Sequence, residues 1–166
     1  MCTNLTDTTV DTSVPVVDEW VTSSDDVEIY TRTWKAVSDK PIATVVFIHG
    51  FGEHVKRYNH VFDKFGRENI EVYAYDQRSF GETVKRNKNP TRLVAPTDIT
   101  EALISRRREG IPQFLMGHSM GGCLVLNYVI DGPEKHNIAG LLCTSPLIKL
   151  TPKANPPISL YVLHVA

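Results

Sequence analysis

The sequence predicts an α/β fold in which an antiparallel hairpin leads into a largely parallel sheet flanked by helices. Short, continuously apolar runs at 42–48, 70–76, 112–118 and 137–148 suit strands buried on both faces, as in a parallel sheet. Segments of helical spacing separate those runs, as βαβ units require. Ahead of them, two β-rich runs surround the turn cluster Ser23-Ser24-Asp25-Asp26, with alternation at Val27, Ile29, Thr31 and Thr33.

Taken in order, residues 1–17 are polar, rich in Thr and Asp, and expected to form a disordered lead. The folded unit is expected over 18–150, starting with the hairpin at 20–37 and the strand at 42–48. Tyr58, Val61, Phe62 and Phe65 then recur at helical spacing before Gly66 and Asn69 close the segment. A strand at 70–76 ends at Asp76, and the polar, basic stretch 82–95 reads as a surface loop. Asp98 and Glu101 have capping-box spacing ahead of a helix with Ile99, Ala102 and Leu103 on one face and Gly110 as its stop. Arg106, Arg107 and Arg108 are expected in that helix's last turn, as a solvated end favoured by the helix dipole. A strand at 112–118, a helix at 120–130 stopped by Gly132-Pro133, and an apolar strand within 137–148 follow. Residues 151–166, proline-rich and then apolar, read as the start of a lid or an aberrant tail.

The totals narrow the classes. With 166 residues, 42% of them hydrophobic, the chain can bury one sizeable core but not two ordinary domains. Eighteen Lys and Arg against nineteen Asp and Glu give a net charge of -1, so no global field draws nucleic acid or an anionic membrane. Cys2, Cys123 and Cys143 match neither a disulfide framework nor a CxxC site, which fits a reducing, cytoplasmic setting. Cys123 and Cys143 read as buried structural thiols. The N-terminus lacks a signal-peptide pattern, and no apolar run reaches the ~18 residues of a membrane span, so neither secretion nor spanning is expected.

The chemistry concentrates at Gly117-His118-Ser119-Met120-Gly121, which fits G-x-S-x-G with an apolar strand before it and a helix after it. In that context the serine stands exposed at a strained strand-to-helix turn, as a nucleophile needs; the plainer alternative is a tight turn with an idle serine. An oxyanion hole would come from the amide of the next residue, Met120, and from the loop after the strand at 42–48. There Phe51, between Gly50 and Gly52, is the candidate donor, although the same glycines would also suit an ordinary strand-exit turn.

"HGFGEH", "YDQRSFGET" and "GHSMGG", in that order and each just past a strand, resemble the monoacylglycerol lipase branch of the α/β-hydrolases, also grouped with serine aminopeptidase-like hydrolases. The resemblance spans about 18–150 and is nearest to fungal monoglyceride lipases. It implies the N-terminal portion of an α/β-hydrolase fold and cleavage of a small lipid ester, monoacylglycerol, to fatty acid and glycerol. It also implies no metal or cofactor, no nucleic-acid partner, and room for peripheral contact with a membrane or lipid droplet. In that family the glutamate and arginine after "HG" lie near the glycerol-binding end; they match Glu53 and Arg57. Two departures stand out: Ser79 replaces the usual glycine of "DQRG", which should strain its turn, and the loop before Asp98 is short.

A serine of this kind needs a histidine base oriented by a carboxylate, in the chain order serine, acid, histidine. After Ser119 the sequence offers Asp131, Glu134, His136 and His164. Asp131 falls about three helical turns from Ser119. Glu134 and His136 belong to the turn at the opposite end of the strands, and His164 has no acid after Glu134 to orient it. His49, His54 and His118 read as loop and turn packing. The expectation is therefore a C-terminally truncated hydrolase without the lid and last strands, inactive for want of a base, with its last apolar strand an exposed edge. The alternatives are a non-catalytic product that binds a partner or lipid surface, and a related lysophospholipase or serine peptidase.

Overall fold

The computed structural model describes residues 14–87 and 95–149. The expected lead is described only from Val14, which is buried, and β1 (Val16–Thr22) opens ahead of the boundary expected at Asp18. β1 pairs antiparallel with β2 (Glu28–Trp34), with Trp20 opposite Tyr30, and the predicted Ser23–Asp26 cluster makes the turn. Asp26 takes the left-handed backbone there, at φ 62°.

β3 (Ala43–Ile48), β4 (Ile70–Tyr75), β5 (Gln113–His118) and β6 (Gly140–Thr144) complete a six-stranded sheet of order β1-β2-β4-β3-β5-β6. β4, β3, β5 and β6 run parallel, and β2 joins β4 antiparallel. The architecture is the predicted hairpin followed by a parallel sheet.

The period-two alternation of the central strands sorts their side chains onto two faces. Val46, Ile48, Tyr73, Tyr75 and Leu115 pack with residues of α3 (Pro96–Ser105) and α4 (Met120–Asp131). On the other face Val45, Phe47, Val72 and Ala74 meet Trp34 of β2, Val55 of the 3-10 turn before α1, and Phe62 of α1 (Asn59–Arg67). Phe62 lies 4.9 Å from Trp34 and 4.8 Å from Phe47, both edge-on, so aromatic edges lock α1 to the sheet. β6 adds half-buried Leu141 and Cys143 to the first core. Among the described residues it pairs only with β5, leaving Leu142 39% exposed.

Several local expectations are corrected. The stretch 82–95 is not all loop, since α2 (Gly81–Arg86) occupies its start; 88–94 lie outside the described residues. The cap of α2 comes from afar: Asp76 Oδ2 accepts the Glu82 N–H at 2.7 Å, while Thr83 Oγ1 donates to the Asp76 carbonyl and accepts the Tyr30 N–H.

Asp98 and Glu101 form no capping box, because α3 begins at Pro96 and the Asp98 side chain turns to Arg78. Glu101 instead accepts the Ser24 N–H at 3.2 Å. The arginine run lies beyond α3 rather than in its last turn, and its partly exposed side chains are all engaged. Arg106 stacks 4.2 Å from the Tyr73 ring, Arg107 pairs with Glu134 at 2.5 Å, and Arg108 holds both oxygens of Glu71 at 2.8 Å. Ser79 is not strained, since the left-handed residue of its turn is Gly81, at φ 56°. Cys123 and Cys143 are half-buried rather than buried.

Candidate functional site

Ser119 stands between β5 and α4 with φ 52° and ψ -116°, a backbone that side-chain-bearing residues seldom adopt. The turn is possible because its neighbours are small. A Cβ on Gly121 would collide with the carbonyl oxygens of Ile48 and His49, so only glycine lets α4 pass this close to the end of β3. The same approach puts the loop after β3 beside the serine. A Cβ on Gly50 would lie 3.2 Å from Ser119 Cβ.

Met120 opens α4, where a backbone N–H has no partner within the helix. Phe51 lies in the loop beside Ser119 with its side chain 50% exposed. Phe80, from the turn after β4, meets the Phe51 ring at 5.4 Å and the His49 ring at 5.6 Å.

Two side chains fix this loop. Glu53 Oε2 accepts the Gly50 N–H at 2.8 Å and the Tyr58 hydroxyl, and Arg57 Nε lies 3.5 Å from Oε1. Burial pushes the Glu53 carboxyl up, but the bonds from Tyr58 and Gly50, with His118 and Arg57 nearby, hold it below its ordinary value. Glu53 is thus turned inward, and Arg57 stays largely exposed. His49 is fully buried; its Nε2 accepts the Gln77 N–H at 3.0 Å, so Nδ1 carries the proton and faces the Gly50 carbonyl at 2.8 Å. Burial pushes its pKa down, which keeps the ring neutral and structural. Gln77 and Tyr58 had no assigned role in the sequence. Gln77 was visible only as a polar residue just past a buried strand, and Tyr58 counted as part of a helix face.

His118 points sideways and shares a 2.9 Å hydrogen bond between Nδ1 and Thr144 Oγ1. Of the residues after Ser119, Asp131 ends α4, Glu134 pairs with Arg107, and His136 lines a surface cavity with Gln113 at the start of β5, the far end from Ser119. His164 lies outside the described residues. Of the described residues after Ser119, none brings an imidazole and a carboxylate together beside it.

A family model described as serine aminopeptidase, S33, matches residues 39–166. A putative monoglyceride lipase of Schizosaccharomyces pombe is 42% identical over 137 residues, which cover 78% of this chain and 35% of that protein. The monoglyceride lipase of Saccharomyces cerevisiae is 35% identical over 119 residues, covering 65% of this chain and 36% of its own length. A solved soluble variant of the Saccharomyces cerevisiae monoglyceride lipase, in complex with a substrate analog, superposes with TM-score 0.70 at 27% identity, over 89% of this chain and 50% of that one. A carboxyl esterase of Bacillus coagulans, 23% identical, shares the fold with TM-score 0.67 over 79% of this chain and 44% of that one. The chain thus spans about a third of the length of these two curated relatives.

Proposed function

Because the chain belongs to the hydrolase family described as serine aminopeptidase, S33, we propose that Ser119 is the nucleophile of a carboxylic ester hydrolase acting on monoacylglycerols. The observation that carries this reading is the left-handed Ser119 between β5 and α4, with the Gly50 loop held against it. Ser119 Oγ would attack the ester carbonyl, and the oxyanion would receive hydrogen bonds from the Phe51 and Met120 amides. Glycerol leaves with the proton taken from Ser119, and water then attacks the acyl-enzyme to release the fatty acid.

The rim around the serine suits such a substrate. Phe51, 50% exposed and in ring contact with Phe80, comes from the loop packed on the serine, and Leu147 is bonded to its carbonyl, so apolar side chains are at hand for an acyl chain. Arg57, largely exposed, with the Glu53 carboxylate beside it, offers a polar partner for the glycerol hydroxyls. Proton transfer from Ser119 needs an imidazole, and losing that base costs about as much as losing a whole triad. The 166 residues taken alone are therefore expected to turn over monoolein very slowly.

The substrate class is tested with two phosphonate probes, one carrying an acylglycerol and one a peptide. The reading expects the acylglycerol probe to modify the Ser119 peptide faster; preference for the peptidyl probe sinks it in favour of a peptidase. A second reading, a non-catalytic partner-binding chain, draws on β6, which among the described residues pairs with β5 alone and shows Leu142 39% exposed. It gains if neither probe modifies Ser119 in a folded, monodisperse sample.

A further inference from the structure

β5 and β6 leave the sheet side by side through the same unusual step. His118 is in register with Thr144, and the residues after them, Ser119 and Ser145, are both left-handed, at φ 52° and φ 47°. The Ser119 N–H donates to the Thr144 carbonyl at 3.0 Å, continuing the parallel ladder one residue past the strands. A regular ladder would next take a donor from residue 146 for the Ser119 carbonyl. Pro146 has none, and Leu147 supplies it at 2.9 Å. The left-handed turn at Ser145 is how the chain skips the proline and still reaches Ser119. Gly122 makes room for this path, since a Cβ there would lie 2.9 Å from Pro146 Cα.

We propose that the β6 exit turn, Thr144 to Leu147, is a positioning element for the nucleophile, and that the left-handed backbone of Ser145 sets it. Both backbone polar groups of Ser119 are tied to this turn, so its strained conformation is held from the neighbouring strand as well as from its own helix. Ser145 is a positioning residue that touches no reacting atom. Its side chain is dispensable and its φ is not. The inference rests on the nucleophile reading of Ser119.

The test uses the 166-residue protein carrying Ser119→Cys, with iodoacetamide alkylation of the introduced thiol followed by peptide mapping across pH. At the N-terminus of α4 that thiol is expected to titrate below the free-cysteine value of about 8.5. Adding Ser145→Val, a β-branched residue that resists positive φ, should slow alkylation at neutral pH about tenfold. Leu147→Pro, which removes the donor, should do the same, and Ser145→Gly should leave the rate unchanged. Circular dichroism and melting temperature confirm folding of each variant, and Leu147→Pro serves if Ser145→Val does not fold. Equal rates for Ser145→Val, Leu147→Pro and Ser145→Gly overturn the positioning role, as does a slowed Ser145→Gly. An ordinary thiol titration in Ser119→Cys alone overturns the nucleophile reading, which separates the two failures.

Discussion

Arg78 and Asp98 meet in a two-pronged pair, Nε to Oδ2 at 2.9 Å and Nη2 to Oδ1 at 2.7 Å, with side chains only 1% and 5% exposed. The other edge of the same guanidinium holds both oxygens of Asp25, at 2.6 and 2.8 Å. One arginine therefore ties the β1–β2 turn, the turn after β4 and the first turn of α3. That turn after β4 carries Gln77 and Phe80, which brace His49 and Phe51.

Arg78→Ala leaves the Asp98 carboxylate buried and unpaired, and is expected to cost about 3–5 kcal/mol in urea unfolding. Adding Asp98→Asn should restore part of that loss. A double variant no more stable than Arg78→Ala would contradict the assignment.

The Asp25 carboxyl is held well below the usual carboxylate range by its bonds to Arg78 and then Ser23. A lowered folded value means that this stabilisation is fully present above the unfolded value near 4 and fades as pH falls through the folded one. Burial pushes Asp98 the other way, so Asp98 loses no stability by taking up a proton in that range. Asp25→Asn should therefore lower the melting temperature at pH 7 and flatten the decline below about pH 4. An acid limb identical in the two proteins would refute it.

Glu53→Ala leaves the Gly50 N–H without its acceptor and the Tyr58 hydroxyl without its partner, for an expected loss of about 1–3 kcal/mol. Tyr58→Phe removes only the hydroxyl and should cost about 1 kcal/mol. Equal unfolding midpoints for Tyr58→Phe, Glu53→Ala and the parent would show that the inward-turned Glu53 does not brace the loop.

Gly121→Ala pushes a methyl into the Ile48 and His49 carbonyl oxygens and should cost about 2–4 kcal/mol. Gly122→Ala meets Pro146 and should cost less, about 1–2 kcal/mol, because the exit turn can shift. The order of the two unfolding midpoints checks the packing, and a reversed order contradicts it.

Most of the sheet could be read from the chain because its central strands are short, mainly apolar runs separated by segments of helical spacing. What escaped was whatever distant residues decide. α2 is capped by Asp76, several positions upstream across a turn, so the local pattern reads as loop. The spacing of Asp98 and Glu101 mimics a capping box, but a buried arginine outcompetes the helix end for Asp98. At the site, the G-x-S-x-G pattern marks Ser119 because its glycines act locally. The tie from Leu147 depends on β5 and β6 being neighbours, which no local pattern encodes. Glu53 and Arg57 could be located but not oriented, since the inward turn of Glu53 depends on Tyr58.

The central claim, that the fold makes Ser119 a nucleophile, is tested most directly by the rate of fluorophosphonate modification of the folded chain against the same chain in urea, with the adduct located by mass spectrometry. The expected result is slow modification confined to Ser119 in the folded protein, absent in urea and absent from Ser119→Ala. Modification spread over other serines, or equal at Ser119 in folded and unfolded chains, would contradict it.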